Sequence, residues 1–223
     1  MSGLLAGTLP ASPFDSDDFR LSDDEIVHLG EGGVVLRDGL LGPARALACS
    51  LALQELDASG ALEPARLGKD KLLRPGIRGD RHAFLGELDL PGPLHVLWQA
   101  FERLRETANQ DAWLGLRRFE VQLACYPGDG ARYAAHRDAF AGDPTRRLTA
   151  ICYLNPDWRP EHGGQLVAQT PDGPLTVEPR LDRLVLFLSD RVLHEVLPSH
   201  APRFAATAWY RGAEAIPLLP DAG

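Results

Sequence analysis

The sequence predicts an α+β fold in which helices pack on the outside of an antiparallel β-sandwich or barrel. Apolar residues at helical spacing are confined to the first half of the chain, and short apolar runs bounded by Gly, Pro, Asn or Asp follow residue 115. Because helices do not alternate with the later strands, a doubly wound parallel sheet is disfavoured. With 223 residues, 44% of them hydrophobic, the chain is long enough for one substantial core.

Two helices are predicted before the strands. Residues 42–58 have an apolar helical pattern with a proline near the start and Gly60 after the end. Residues 93–109 place Leu94 and Phe101 on one apolar face of a second helix. The connection between the two helices, in particular residues 67–82, is polar, interrupted by Gly and Pro, and long. We therefore expect it to be mobile, and either functional or disordered.

The strands are predicted in a series of short segments after residue 115. These segments are RRFEVQLACYP, RRLTAICYLN, GGQLVAQT, GPLTVEP, DRLVLFLSD and RFAATAWYRG. We expect a single domain over residues 22–212, with the strand-rich core at about 116–212, between a loose N-terminal tail (1–21) and a loose C-terminal tail (213–223).

Composition narrows the cellular setting and the class of partner. The three cysteines show no CxxC spacing, and two lie in apolar strand-like runs, which indicates structural thiols in a reducing compartment. The sequence shows neither a signal-peptide pattern nor an apolar run of roughly 20 residues, so we expect a cytoplasmic protein without a membrane partner. A formal net charge of -8 disfavours nucleic acid.

One segment, YPGDGARYAAHRD, places His136 and Asp138 two positions apart after a Gly-rich turn. In a β-strand, alternate side chains leave by the same face, so this pair would point at one target. A second histidine would complete a facial triad for Fe(II), and His194 is our choice because it follows the apolar strand RLVLFL. His162 and His200 remain the alternatives.

A buried cation is predicted nine residues beyond His194. In the strand RFAATAWY, Arg203 shares one face with Ala205, Thr207 and Trp209. A guanidinium among small and aromatic neighbours requires an anionic partner. A dicarboxylate that chelates iron at one end would offer its far carboxylate to Arg203.

Several segments together resemble the 2-oxoglutarate- and Fe(II)-dependent prolyl 4-hydroxylases, in particular the oxygen-sensing prolyl hydroxylase branch and its bacterial relatives. The resemblance covers residues 22–212 and rests on the order and spacing of its motifs. These motifs are IRGDRHAF, ACYPGDGARYAAHRD, RRLTAICYLNPDW, HGGQL and EPRLDRLVLFLSDRVLHEVLPSHAPRFAATAWY.

The resemblance implies a double-stranded β-helix, which is a distorted jelly roll, with flanking N-terminal helices. By position, it also implies iron ligation by His136, Asp138 and His194, with Arg203 holding the distal carboxylate of 2-oxoglutarate. The other positions that match the cosubstrate site are Tyr153, whose hydroxyl would assist that carboxylate, Thr207, Trp209 and Tyr126.

The resemblance further implies that residues 67–82 form a lid over the mouth of the site. Arg78 belongs to the lid, Tyr133 to the rim of the pocket, and Asp80 would form a salt bridge with Arg146 when the lid closes. No protein group beyond the iron site is expected to act in the chemistry.

The expected function is hydroxylation, at the 4-position, of a prolyl residue in a flexible loop of another protein. Fe(II) is the expected metal, 2-oxoglutarate and dioxygen are the cosubstrates, and ascorbate is a further expected small molecule. Because some bacterial relatives are linked to translation, elongation factor Tu is a candidate target. The alternatives are an oxygenase acting on a free amino acid or small metabolite, a non-catalytic metal-binding jelly-roll module and, more weakly, a zinc hydrolase. The sequence predicts no oligomeric state.

Overall fold

The computed structural model describes residues 19–65, 78–86, 92–139 and 145–213. Within them the helices are α1 (Asp23–Gly30), α2 (Pro43–Ala58) and α3 (Gly92–Ala112), with a short 3-10 turn at Pro160–His162. The strands are β1 (Val35–Asp38), β2 (Glu63–Pro64), β3 (Arg81–Leu85), β4 (Arg118–Tyr126), β5 (Ala131–His136), β6 (Arg146–Tyr153), β7 (Leu166–Thr170), β8 (Gly173–Val177), β9 (Arg183–Leu188), β10 (His194–Ser199) and β11 (Arg203–Arg211).

The strands form two antiparallel sheets. The larger sheet has the order β1-β9-β6-β11-β4-β3-β2, and the smaller has the order β5-β10-β7-β8. Tyr153 and Phe187 of the larger sheet share one buried cluster with Leu166 and Val196 of the smaller sheet, so the sheets face each other as in a jelly roll. The predicted α+β class and the double-stranded β-helix are confirmed.

A second buried cluster lies between the helices and the other face of the larger sheet. Leu53 of α2 and Phe101 of α3 pack there with Leu123 and Leu148 of the sheet. The predicted helices at 42–58 and 93–109 are confirmed, although α3 continues to Ala112. The described helices include none that is long and apolar enough to cross a membrane.

Helix α1 was not foreseen, and it lies next to the predicted N-terminal tail. The Ser22 hydroxyl accepts a hydrogen bond from the Glu25 backbone N–H, and the Glu25 carboxylate accepts one from the Ser22 N–H. This capping box could be recognised in the sequence by the pattern S-x-x-E. Residues 1–18 lie outside the described residues, but Phe19 and Leu21 are buried in the core, so the predicted tail boundary at 21 is too late.

The elements that carry the expected metal ligands differ from the prediction in detail. Strand β5 ends at His136, and Asp138 lies in the bend that follows. His194 does not extend from the end of β9, because that strand ends at Leu188 and His194 begins β10. His194 stands directly opposite His136 in the register between β10 and β5.

Most of the predicted lid lies outside the described residues, which resume at Arg78. Arg78 forms an isolated β-bridge with Tyr133, and Arg81 and His82 belong to β3, which pairs with β4. The C-terminal end of the 67–82 segment is therefore part of the larger sheet rather than a loop.

A buried aspartate joins the start of α2 to the larger sheet. The Asp182 carboxylate accepts a hydrogen bond of 2.7 Å from the Leu41 N–H, and the Asp182 backbone N–H donates to Tyr153 O at 2.8 Å. The residue is 5% exposed and has a φ of 63°, a conformation that Asp and Asn tolerate. Burial raises the pKa of the Asp182 carboxyl to about 6, against the opposing hydrogen bonds from the backbone.

We predict that Asp182→Asn stabilises the protein at alkaline pH and not at acidic pH. Since folding raises the pKa of this carboxyl, its contribution to the stability of the wild-type protein is greatest below the ordinary carboxyl pKa and is lost as the pH rises through about 6. The amide oxygen still accepts from Leu41 without charge. We expect the melting temperature of the variant to exceed that of wild type at pH 8 by about 2–4 °C, and this gain to disappear at pH 4. A difference that does not vary with pH would contradict this account.

Candidate active site

Two histidines and one carboxylate converge at the mouth of the barrel. The ligand atoms of His136, Asp138 and His194 all lie within 4.8 Å of one another. Nε2 of His136 lies 3.5 Å from one carboxylate oxygen of Asp138, and Nε2 of His194 lies 3.8 Å from the other. Among the described residues, no other group of three potential ligands comes together in this way. The sequence-based choice of His194 over His162 and His200 agrees with this geometry.

The backbone fixes the tautomer of both histidines. Nδ1 of His136 lies 2.9 Å from Ala134 O, and Nδ1 of His194 lies 3.2 Å from Val192 O. A carbonyl oxygen can only accept, so each Nδ1 carries the proton and each Nε2 presents a lone pair to the centre of the cluster. Burial lowers the pKa of His194, which favours the neutral form that binds a metal.

Two hydroxyls orient the carboxylate. Thr149 Oγ1 donates to Asp138 Oδ2 at 2.8 Å and lies 2.9 Å from Ser189 Oγ, so a chain of hydrogen bonds runs from β6 and the end of β9 to Asp138. Burial alone would raise the pKa of Asp138, but the neighbouring imidazoles of His136 and His194 and the hydrogen bond from Thr149 hold it well below its usual range. The ionised carboxylate is therefore ready to bind a cation.

The donor set fits Fe(II) better than a structural metal. Three ligands on one side of a site, two imidazoles and one carboxylate, leave coordination positions open, as in the facial triad of non-haem iron oxygenases. Structural zinc sites are instead closed by four ligands, typically including cysteine thiolates. The three cysteines are buried in free form elsewhere in the fold, and none belongs to this cluster.

Arg203 is a buried cation beside the triad. It is 4% exposed, and its Nε donates to Gly164 O at 2.7 Å. Its guanidinium carbon lies 4.8 Å from the ring centre of Tyr126 and 4.9 Å from that of Tyr153. No carboxylate of the described residues forms an ion pair with it, so its charge calls for an external anion.

Gly164 sets the position of this guanidinium. The backbone of Gly164 has a φ of +71°, and a Cβ there would lie 2.8 Å from Arg203 Cδ. Any larger residue would displace the arginine as well as strain the loop. The motif HGGQL therefore places the carbonyl that fixes Arg203, a role that its sequence did not reveal.

A narrow inner pocket connects Arg203 to the metal ligands. Its lining includes the predicted residues Tyr126, Thr207 and Trp209 together with the triad. A dicarboxylate placed there would contact the ligand cluster at one end and Arg203 at the other, which is the arrangement that 2-oxoglutarate requires. Tyr153 is not part of this lining, although its ring contacts Arg203. Its hydroxyl is fully buried and has no hydrogen-bond partner in the part of the chain that is described.

A wider cleft of about 710 Å³ opens outward from two of these ligands, His136 and Asp138. Arg78, Tyr133 and Arg146 line it, as expected for residues at the mouth of the site. The predicted salt bridge between Asp80 and Arg146 is not formed in this structure. Asp80 is buried and pairs with Arg78 at 2.5 Å, whereas Arg146 pairs with Glu120 at 2.6 Å. Arg78 pairs with Asp80 because the two residues are separated by a single glycine and share one face.

Some residues of the site were missed by sequence reasoning. Thr149 and Ser189 orient Asp138, and Gln122 lines both the inner pocket and the outer cleft. Each is a polar residue in a strand run that is otherwise apolar, which was the available signal because buried polar groups require a partner. Phe84 and Arg137 of the cleft carried no comparable signal.

The fold and this pair of adjoining sites define an iron-dependent oxygenase that takes a dicarboxylate cosubstrate. The family model described as the 2OG-Fe(II) oxygenase superfamily matches residues 121–211. The human protein named Prolyl hydroxylase EGLN3 is 34% identical over 189 residues, which cover 82% of this chain and 76% of that protein. The chain belongs to the 2OG-Fe(II) oxygenase superfamily and, within it, to the prolyl hydroxylases.

Solved structures agree with this assignment. A Pseudomonas putida prolyl-4-hydroxylase matches with a TM-score of 0.74 and 35% identity, over 85% of this chain and 97% of that chain. A Trichoplax adhaerens prolyl hydroxylase, in complex with a hypoxia inducible factor oxygen degradation domain peptide fragment, matches with a TM-score of 0.77 and 30% identity, over 83% and 86% of the two chains. Human Egl nine homolog 1 is 43% identical over 101 residues, but the match spans 44% of this chain and only 24% of that protein.

We predict that His136→Ala, Asp138→Ala and His194→Ala each abolish Fe(II) binding and 2-oxoglutarate turnover while the protein remains folded. The ligands line an open pocket rather than fill the core, so their loss should leave the fold intact. Metal binding by calorimetry with Mn(II) and folding by circular dichroism would check both halves. His162→Ala is the matched control and should bind metal normally. Normal metal binding by His194→Ala would refute the assignment.

We also predict that Arg203→Lys weakens 2-oxoglutarate binding by more than tenfold. A single ammonium cannot reproduce the paired hydrogen bonds of a guanidinium, each about 1.5–3 kcal/mol to a charged group. Calorimetric titration of the metal-loaded protein with 2-oxoglutarate would measure the effect. The control is Arg118→Lys, at an exposed arginine outside both the pocket and the cleft. Equal affinities for wild type and Arg203→Lys would mean that the distal carboxylate is held elsewhere.

Proposed function

We propose that this oxygenase hydroxylates the 4-position of a prolyl residue in a flexible loop of another protein. The observation that carries the proposal is the cleft of about 710 Å³ that reaches His136 and Asp138 of the metal site from outside, in addition to the inner pocket. A separate open cleft of this size suits a polypeptide segment laid across the site. A small metabolite would be better served by an enclosed pocket.

An aromatic wall of the cleft suits the ring of a proline. Phe84 is 51% exposed, and its ring centre lies 5.9 Å from that of Trp209. Tyr133 also lines the cleft, and its ring stacks on the imidazole of His136 with ring centres 3.8 Å apart. A pyrrolidine ring is compact and apolar, so it can pack against such faces without desolvating a polar group.

The residues of this chain divide the remaining work between them. Arg203 would bind the distal carboxylate of 2-oxoglutarate, while Thr149 and Ser189 hold Asp138 in place for the metal. Apolar side chains of the inner pocket, such as Ile151 and Leu166, limit access of water. Bound iron would supply the chemistry, in which 2-oxoglutarate, dioxygen and a C–H bond give succinate, carbon dioxide and an alcohol. No protein group needs to remove a proton, so no general base is required.

Two competing functions are less well supported. A non-catalytic metal-binding module has no use for the buried charge of Arg203 beside the ligands, since that charge costs stability unless an anion binds. An oxygenase that acts on a free amino acid would leave the exposed face of Phe84 without a role.

Elongation factor Tu is the first protein we propose to test as the target, because the chain is similar to a bacterial prolyl-4-hydroxylase. We also propose a cytoplasmic location, in keeping with three buried, unpaired cysteines. Ascorbate is proposed as a reductant that maintains Fe(II).

The purified enzyme, iron and 2-oxoglutarate would be incubated with elongation factor Tu and, in parallel, with a host lysate, followed by mass spectrometry for prolines that gain one oxygen atom. If only free amino acids gain oxygen, the proposal fails.

We predict that Phe84→Ala raises the KM for the protein substrate by about two- to tenfold. Loss of an aromatic packing face costs roughly 0.5–1.5 kcal/mol. The KM for 2-oxoglutarate, measured on the same sample, is the internal comparison. Leu47→Ala, at a similarly exposed position on α2, is the matched control. An equal rise in both KM values would show that Phe84 supports the site as a whole rather than the protein substrate.

A further inference from the structure

The outer cleft is cationic on a chain that is acidic as a whole. Three arginines (Arg78, Arg137 and Arg146) and two histidines line it, and Asp138 is the single carboxylate among its described lining residues. Asp138 belongs to the metal site and is already engaged by Thr149. The formal net charge of the chain is -8, so this local excess of positive charge is not a reflection of overall composition.

Two of the three arginines are paired with carboxylates of the protein. Arg78 makes paired hydrogen bonds of 2.5 and 2.7 Å to the buried carboxylate of Asp80. Arg146 donates to Glu120 at 2.6 Å and lies over the ring of Trp209 at 4.2 Å. Both side chains are held in the wall of the cleft by carboxylates, and Arg146 shares the carboxylate of Glu120 with Arg211.

Arg137 differs from these two arginines. It is exposed, it lines the cleft, and it forms no ion pair with any described residue. Its place in the chain, between the ligands His136 and Asp138, fixes its backbone at the metal site. An exposed arginine is ordinary on a protein surface, but this one is anchored at the edge of the reaction centre and faces the region where the substrate must lie.

We propose that Arg137 selects substrates that carry an aspartate or glutamate within about three residues of the target proline. This inference rests on the proposed function and narrows it to acidic peptides. An extended chain advances roughly 3.3 Å per residue, so a side chain near the proline comes within reach of a long arginine beside the metal. The guanidinium can bind a carboxylate through two parallel hydrogen bonds, and the cationic cleft would steer an acidic segment toward it.

The test uses three fluorescein-labelled peptides, Ala-X-X-Pro-X-X-Ala, in which X is Glu, Gln or Lys. Their affinities for the Mn(II)- and 2-oxoglutarate-loaded protein are measured by fluorescence anisotropy at low and high salt, and hydroxylation is measured separately with Fe(II). We expect the Glu peptide to bind wild type about fivefold more tightly than the Gln peptide, the Lys peptide to bind most weakly, and added salt to reduce the differences.

Charge reversal provides the decisive comparison. In Arg137→Glu, the ratio of Glu-peptide to Lys-peptide affinity should fall by more than tenfold and invert. Arg118→Glu makes the same change in net charge at an exposed position outside the cleft and should leave the ratio close to that of wild type. Because each ratio is taken within one protein sample, incomplete folding or metal loading cancels.

The possible failures are distinguishable. Equal affinities of the three peptides for wild type, or an unchanged ratio in Arg137→Glu, would overturn the role of Arg137 while proline hydroxylation stands. A protein that binds metal and 2-oxoglutarate but neither binds nor hydroxylates any of the three peptides would overturn the peptide substrate and this inference with it.

Discussion

The structure depends on burying charged groups whose counterparts come from outside the chain. Asp138 is 6% exposed and Arg203 is 4% exposed. The ionisable side chains that contact the carboxylate of Asp138 are the two histidines of the metal site, and Arg203 forms no ion pair with any described residue. Burial of such groups is costly unless they are hydrogen-bonded and matched by an opposite charge. The hydroxyl chain from Ser189 and the carbonyl of Gly164 provide the hydrogen bonds. A metal cation and a dicarboxylate would complete the charge balance.

The buried cluster that stabilises the fold is distinct from the buried cluster that surrounds the active site. The larger cluster, between α2, α3 and one face of the larger sheet, consists of closely packed aliphatic and aromatic side chains. The second cluster, between the two sheets, surrounds the inner pocket and contains Tyr126, Tyr153 and Phe187. Because helix packing stabilises the larger sheet from behind, the facing sheet can hold polar ligands at its edge without being the main source of stability.

Parts of the fold were predictable because their signals are local. Short apolar runs bounded by Gly, Pro, Asn or Asp located most strands, and a proline and a glycine bounded α2. Helix α1 was missed although its capping box at Ser22 is a local signal. The start of β10 at His194 was missed for a different reason. Its sequence, HEVLPS, contains a proline and few β-branched residues, and it becomes a strand through pairing with β5 and β7.

The sequence by itself determined the chemistry of the metal site. The residue types of the triad, and the spacing of His136 and Asp138, can be read directly from it. Only the tertiary structure decided which charged side chains are available to bind a substrate. Arg78 and Arg146 are paired with Asp80 and Glu120, whereas Arg137 remains exposed in the cleft. Except for the local Arg78–Asp80 pair, these outcomes depend on the register between strands that are distant in sequence. A shift of one residue in that register would turn every side chain to the opposite face, so no local pattern could have specified them.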